Sequence, residues 1–214
     1  DKSASFDITA DYVTSSGTAA SPADFGGGSG TLTFMAGVTS LQLAVVTVSD
    51  TLYENDETMT VVLSNYSDIV DAIATGTITN DDGMPSMQWN LSSQTKLENS
   101  GLVTLTAELS SLSGLPASAS YSVGGTSSAG SDHNATSGNI TVVAGQSSAQ
   151  VVFSIIDDGI VENSETILFT LSGLANSNMG GVSIHTVTIN DDDYSQMTVA
   201  DATVSEGGTL HFLV

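Results

Sequence analysis

The chain has 214 residues, with 24 acidic side chains against two basic ones, Lys2 and Lys96, a formal net charge of −22 and no cysteine. That balance excludes nucleic acid and anionic membrane as electrostatic partners and favours cations. A disulfide framework is excluded, and no apolar run approaches the roughly 18 residues of a spanning helix, so membrane insertion is not expected.

From the N-terminus, Ser5 to Val13 alternates, with Phe6, Ile8, Ala10 and Tyr12 on one strand face. A Gly, Ser and Ala loop carrying Asp24 follows. Its Gly26–Gly30 run lacks the lysine and the following helix of a phosphate loop. Leu32 and Phe34 open a strand, Gly37 turns it, and Leu41, Leu43, Val45 and Thr47 continue on one face. An acidic turn with Asp50, Glu54 and Glu57 leads into a strand of Met59, Val61 and Leu63. Ala74 to Thr79 closes the unit on Asn80-Asp81-Asp82. After a Gly83–Ser86 junction, Met87-Gln88-Trp89 opens a second series, in which Trp89 reads as core. Val103, Leu105 and Ala107 share one strand face, and Tyr121 takes the part of Tyr12. No helical period of useful length occurs, and short strands with turn signals every 8–12 residues read as an all-β sandwich.

One stretch organises the rest. Between the apolar runs 151–156 and 167–171 stand Asp157, Asp158, Glu162 and Glu165, with no positive charge among them. Two carboxylates about 5 Å apart repel by roughly 3 kcal/mol at an effective dielectric of about 20. Four of them at one strand-to-strand turn need a cation or open solvent, and oxygen ligands in that number suit Ca²⁺. An offset of 108 maps Asp50, Glu54 and Glu57 onto Asp158, Glu162 and Glu165, and Asp24 onto Asp132; Asn80-Asp81-Asp82 returns at an offset of 110 as Asn190-Asp191-Asp192. The chain is therefore an internal repeat. A third copy starts at Gln196-Met197-Thr198-Val199, with Glu206 in the place of Glu98.

Gly-Thr-Ala at 17–19, Asp24-Phe25, Gly30 to Phe34, Asp50-x₃-Glu54-Asn-Asp-Glu57-Thr and Thr77 to Asp82 together resemble the Calx-beta repeat. The resemblance covers nearly the whole chain and implies tandem immunoglobulin-like β-sandwiches that hold Ca²⁺ at one end. It places a first repeat at residues 1–83 without its first two strands, a complete repeat at 84–193, and the first strands of a third at 194–214. For repeat two it implies the ligands Glu98, Asp132, Asp157, Asp158, Glu162, Glu165, Asp191, Asp192 and Asp193, more than one ion accepts. For repeat one it implies Asp24, Asp50, Glu54, Glu57, Asp81 and Asp82, a weaker site because Ser49 and Gly83 stand where repeat two has Asp157 and Asp193.

Catalysis finds no support: His133, His185 and His211 do not recur at the repeat period and read as surface or strand residues, and paired carboxylates in a glycosidase need a pocketed acid. The scattered acids Asp1, Asp7, Asp68, Asp71 and Glu108 read as solvated turn residues. The resemblance and the Lys-poor, Ser/Thr/Gly-rich composition point to a segment of a secreted or surface-attached bacterial adhesin-like protein, with calcium stiffening a rod of repeats. Two other readings are a calcium-sensing module of a transporter and an accessory domain of a secreted enzyme. The segment 194–214 is expected to exchange strands with repeat one of a neighbouring molecule, Glu206 restoring that repeat's missing ligand.

Overall fold

Alternating apolar and polar residues become strands throughout the computed structural model, which describes residues 4–65, 72–209 and 211–213. In chain order these are β1 (Ile8–Ser16), β2 (Ser29–Phe34), β3 (Glu57–Ser64), β4 (Ile73–Ile78), β5 (Ser86–Trp89), β6 (Ser93–Leu97), β7 (Leu102–Leu109), β8 (Ala117–Gly125), β9 (Gly138–Val142), β10 (Ser148–Ser154), β11 (Glu165–Ala175), β12 (Asn178–Met179) and β13 (Ile184–Asn190). A 3₁₀ turn at Glu98–Ser100 is the one helical element among the described residues. Asp1, Asp68 and Asp71 lie outside the described residues. The chain divides into a first compact unit of Asp1–Pro85, Ser111–Pro116 and Val143–Ser147 and a second of Ser86–Ser110, Ala117–Val142 and Ser148–Val214.

The second unit is a sandwich of two sheets, ordered β10-β7-β5-β12 and β6-β13-β11-β8-β9. Its strands are antiparallel except β12 on β5 and β6 on β13. The period of two sends Val103, Leu105 and Ala107 of β7 inward against Ile167, Phe169 and Leu171 of β11, while Leu102 faces out. Trp89 sits at the centre, fully buried as expected, in T-shaped contact with Tyr121 and Phe169, each ring centroid 6.3 Å from its own. Its indole N–H donates to the Phe169 carbonyl at 3.1 Å, so burial leaves no orphan donor.

The first unit has one sheet, β2-β1-β3-β4. It repeats the second unit's β9-β8-β11-β13 in register: Tyr12 lies opposite Gly30 as Tyr121 lies opposite Gly138. The pairing is steric, since a Cβ on Gly30 or Gly138 would stand 3.0 Å from the tyrosine across the ladder. Ala19, Phe25 and Met59 form a small core with Val45, Val61 and Ile78 packed against it.

Three expectations are corrected here. The first strand begins at Ile8, leaving Phe6 67 % exposed. Residues 41–47 form no ladder and make a single bridge, Thr47 to Phe25. Their counterpart β10 is a strand because β7 pairs with it, and no equivalent of β7 lies beside 41–47 among the described residues of the first unit. The described residues of 194–214 likewise form no strand, although the same pattern at 86–97 forms β5 and β6.

Candidate metal centres

In each unit, one end of the sheet gathers carboxylates from three stretches far apart in sequence, joined in the second unit by Glu98 of the 3₁₀ turn after β6. The first is the loop Asp. Ala20 N–H donates to Asp24 Oδ2 at 2.6 Å, and Ser128 N–H donates to Asp132 Oδ2 in the same way. The second is the acidic turn, where Leu52 N–H donates to Asp50 Oδ1 at 2.8 Å and Ile160 N–H to Asp158 Oδ1 at 2.7 Å. These are Asx turns, which the sequence Asp-x-hydrophobe builds locally. The third is the acidic run that follows the last strand of each unit, β4 or β13.

In the second unit two triads result, Glu98 with Asp191 and Asp193, and Asp132 with Glu162 and Glu165, each offering carboxylate oxygens within 4.8 Å of one another. Metal–oxygen bonds of about 2.4 Å reach both members of a pair so spaced. In the first unit Asp24, Glu54 and Glu57 make the corresponding triad. There Asp24, Ser49, Asp50, Glu54, Glu57, Asn80, Asp81 and Asp82 line a single cleft.

The electrostatics follow from this crowding. Burial and then the charges of Asp158, Glu162 and Asp191 push Glu98 up to about 7, opposed by the Asp158 backbone N–H. Burial, a hydrogen bond to Asp132 and the Asp132 charge push Glu165 up to about 7. Glu162 is raised by burial and by Asp132, Asp158 and Asp191. Asp193 is raised by burial and by Asp191, Asp192, Asp157 and Asp158. Glu54 is raised by burial and by Asp50, Asp24 and Asp82, and Glu57 by burial and by Asp24. Together these neighbours include every acid expected of repeat two. In repeat one they include all but Asp81, which lines the cleft instead.

Asp193 Oδ2 is buried with no hydrogen-bond partner. A carboxylate oxygen shut off from water without a donor is unfavourable unless a cation meets it, so the donor set fits a hard, oxygen-seeking ion.

Neutral residues of the site were missed by sequence reasoning. Asn80 Oδ1 accepts the Glu54 N–H at 3.1 Å, and Asn80 Nδ2 donates to the Asp82 carbonyl at 2.9 Å. Asn99 donates to Asp192. The repeated Asn before each Asp pair was the available signal. Glu206 joins no such cluster and lies exposed near a turn in which Gly208 N–H donates to the Ser205 carbonyl at 3.0 Å. Asp7 and Glu108 are bonded within the fold, Asp7 to Ala36 N–H at 2.9 Å and Glu108 to Gln88 at 3.0 Å. Of the three histidines read as surface or strand residues, His211 is exposed and His185 lies on β13, but His185 and His133 are both buried, and burial lowers the pKa of each. His133 occupies the core place of Phe25 and accepts Ala135 N–H at 3.1 Å. His185 packs against Trp89 in a T-shaped pair.

The Calx-beta domain family model matches residues 2–82 and again residues 80–193. Among solved structures, the apo form of the Calx CBD1 domain is 26 % identical, with 52 % of this chain and all of that one covered and a TM-score of 0.49. The CBD12 tandem from CALX1.2 is 20 % identical over 88 % of this chain and 89 % of its own, with a TM-score of 0.46. The calcium binding domain CBD12 of CALX1.1 is 20 % identical over 86 % and 87 %, with a TM-score of 0.41. No curated protein sequence matches the chain.

Proposed function

We propose, from the premise that this chain belongs to the Calx-beta domain family, that both of its repeats bind Ca²⁺ at their acidic ends and that the second holds at least two ions. The observation that carries this is the buried, partnerless Asp193 Oδ2 standing in a triad with Glu98 and Asp191, while a second triad forms around Asp132. When bound, calcium supplies positive charge that offsets the mutual repulsion of these carboxylates. The chain's own residues do the rest: backbone N–H groups hold Asp24, Asp50, Asp132 and Asp158 by one oxygen, and Asp24 and Asp132 each offer an oxygen to a triad. Ca²⁺ suits this set better than Mg²⁺, because six to eight oxygens in flexible geometry are its ordinary shell, whereas Mg²⁺ keeps several waters.

The role this supports is that of a binding and structural module. Calcium ties together the loop, the acidic turn and the last strand of each repeat, so an array of such repeats resists unfolding and extension. A secreted or cell-surface adhesin-like protein of bacterial origin is the setting we assign. Low lysine, absence of cysteine and high negative charge support it. Calcium titration by calorimetry tests the site: the expectation is more than two ions per chain, and a flat titration overturns it. Antibody labelling of intact source cells, compared with lysed ones, tests the setting.

A further inference from the structure

The geometry points to His185 as an acid-sensitive fastening for β5 and β6: neutral, its ring ties the turn between those strands to β13, and a proton on Nε2 undoes the tie. The side chain is 2 % exposed and meets the core ring of Trp89 in a T-shaped pair at 6.4 Å. Its Nδ1 stands 2.6 Å from the carbonyl of Leu91, in the turn between β5 and β6. A carbonyl can only accept, so Nδ1 carries the ring's proton and Nε2 is bare. That Nε2 is buried with no hydrogen-bond partner among the described residues. A proton there would place a charge and an unanswered donor away from water, and both are costly.

No charged group faces the ring to offset that cost. β5, β12 and β13 carry no other titratable side chain. Lys96 of β6 and Glu165 of β11 both stand across from Ile189, four residues along β13. Tyr121 of β8, beside the same Trp89 ring, brings a phenol and no charge, and Glu108 of β7 is bonded to Gln88. Burial accordingly lowers the pKa of His185, against the pull of the Leu91 carbonyl. The unfolded chain, with its histidine near 6.5, takes up this proton more readily. The stability His185 contributes is therefore full above about pH 6.5 and lost as the pH falls below it. The side that gives is β5 and β6. β6 is an edge strand in parallel pairing with β13, whereas β11, the unit's longest strand, holds the other flank. Trp89 N–H donates to the Val182 carbonyl and Thr186 N–H to that of Ser92, each at 2.9 Å, and these backbone bonds beside the ring open with it. β6 runs into the Glu98 turn, so on the calcium binding proposed above the same event loosens the Glu98 triad; the fastening itself does not rest on that binding.

Hydrogen exchange of the full chain in chelator, corrected for the intrinsic pH dependence of exchange, tests the fastening apart from calcium. In the parent, the opening constant of residues 86–97 should rise by up to about tenfold between about pH 7.5 and pH 5.5. Full-length H185N keeps an N–H for the Leu91 carbonyl but takes no proton, and its residues 86–97 should show no such rise. The raised Glu98 and Glu165 cannot produce the effect, because their protonation stabilises the folded state as the pH falls. His133, also buried, would act at its own loop beside Ile155 instead. Nitrogen-15 spectra of the parent need no variant: His185 should hold the Nδ1–H tautomer and stay neutral near pH 6, where a free histidine is mostly charged. A His185 that titrates like a free histidine while 86–97 stays protected overturns the fastening. So does an Nε2–H tautomer, a parent in which 86–97 gains no opening, or the same rise in H185N.

Discussion

Replacing Glu98 by glutamine separates the electrostatic cost of the acidic end from its capacity to hold an ion. The side chain is 3 % exposed and faces the charges of Asp158, Glu162 and Asp191. With its folded-state value near 7 against an ordinary 4.5, ionising it costs the folded state on the order of 3 kcal/mol, at about 1.4 kcal/mol per tenfold change in proton affinity. The sign follows from linkage: the folded chain holds this proton more tightly than the unfolded one. The stability it contributes is therefore full below about pH 4.5 and lost as the pH rises through about 7. Glutamine keeps the shape and removes the charge. In chelator near pH 8, E98Q should melt above the parent, by up to roughly 10 °C for a chain of this size. Near pH 5, where the parent's Glu98 is already protonated, the two should melt within a degree or so. In calcium the advantage of E98Q should shrink, because a charged ligand is gone and a loss of at least about tenfold in affinity, about 1.4 kcal/mol, is expected. Scanning calorimetry at both pH values, with and without calcium, reads all of this. An E98Q chain that melts below the parent in chelator near pH 8 would refute the reasoning.

Calcium at about 100 times its dissociation constant should add about 2.7 kcal/mol per site, so melts in calcium and in chelator should differ by several degrees; coincident melts reject ion binding. D157N/D158N should remove most of the high-affinity binding heat and D50N less of it, since Ser49 and Gly83 leave repeat one without counterparts of Asp157 and Asp193. Equal losses would show that those positions contribute nothing. With Glu98 and Glu165 both held up to about 7, calcium binding near neutral pH should release protons. Apparent heats should then vary with the ionisation enthalpy of the buffer, and affinity should fall as the pH drops from about 8 to 5.5. Heats that are the same in every buffer would contradict the raised values.

The acidic turns were legible because their carboxylates are local: Asp50 to Glu57 and Asp158 to Glu165 lie within one turn each, and the repetition at 108 residues marks them as a pair. Trp89 was legible as core because large apolar residues alternate around it. The division of repeat two into two triads was not legible. It depends on the parallel pairing of β6 with β13, which carries Glu98 to Asp191 and Asp193, and on a loop that delivers Asp132 to Glu165 instead. Sequence spacing contains neither distance. The failure at 41–47 has another cause. Its alternation is as regular as that of β10, but a strand also needs a partner edge, and pattern alone does not supply one. His133 was read as a surface or strand residue because no histidine recurs at the repeat period, whereas it fills the core place of Phe25.

The carboxylates divide the work by the reach of their side chains. An aspartate one carbon from the backbone can accept a local N–H. Asp24, Asp50, Asp132 and Asp158 each do, which fixes one oxygen and neutralises part of its demand. The longer glutamates reach further into the cluster, where burial and the fixed aspartates raise Glu54, Glu57, Glu98, Glu162 and Glu165. Without an ion, then, these glutamates hold protons more readily than free ones while the aspartates keep their geometry, which eases the repulsion at the acidic end. On the calcium binding proposed above, Glu98 and Glu165 release their protons to solvent and the ion meets oxygens already in position, so little of the chain must reorganise. A site built the other way, with mobile aspartates and anchored glutamates, would have to order its turns at the moment of binding and lose affinity in proportion.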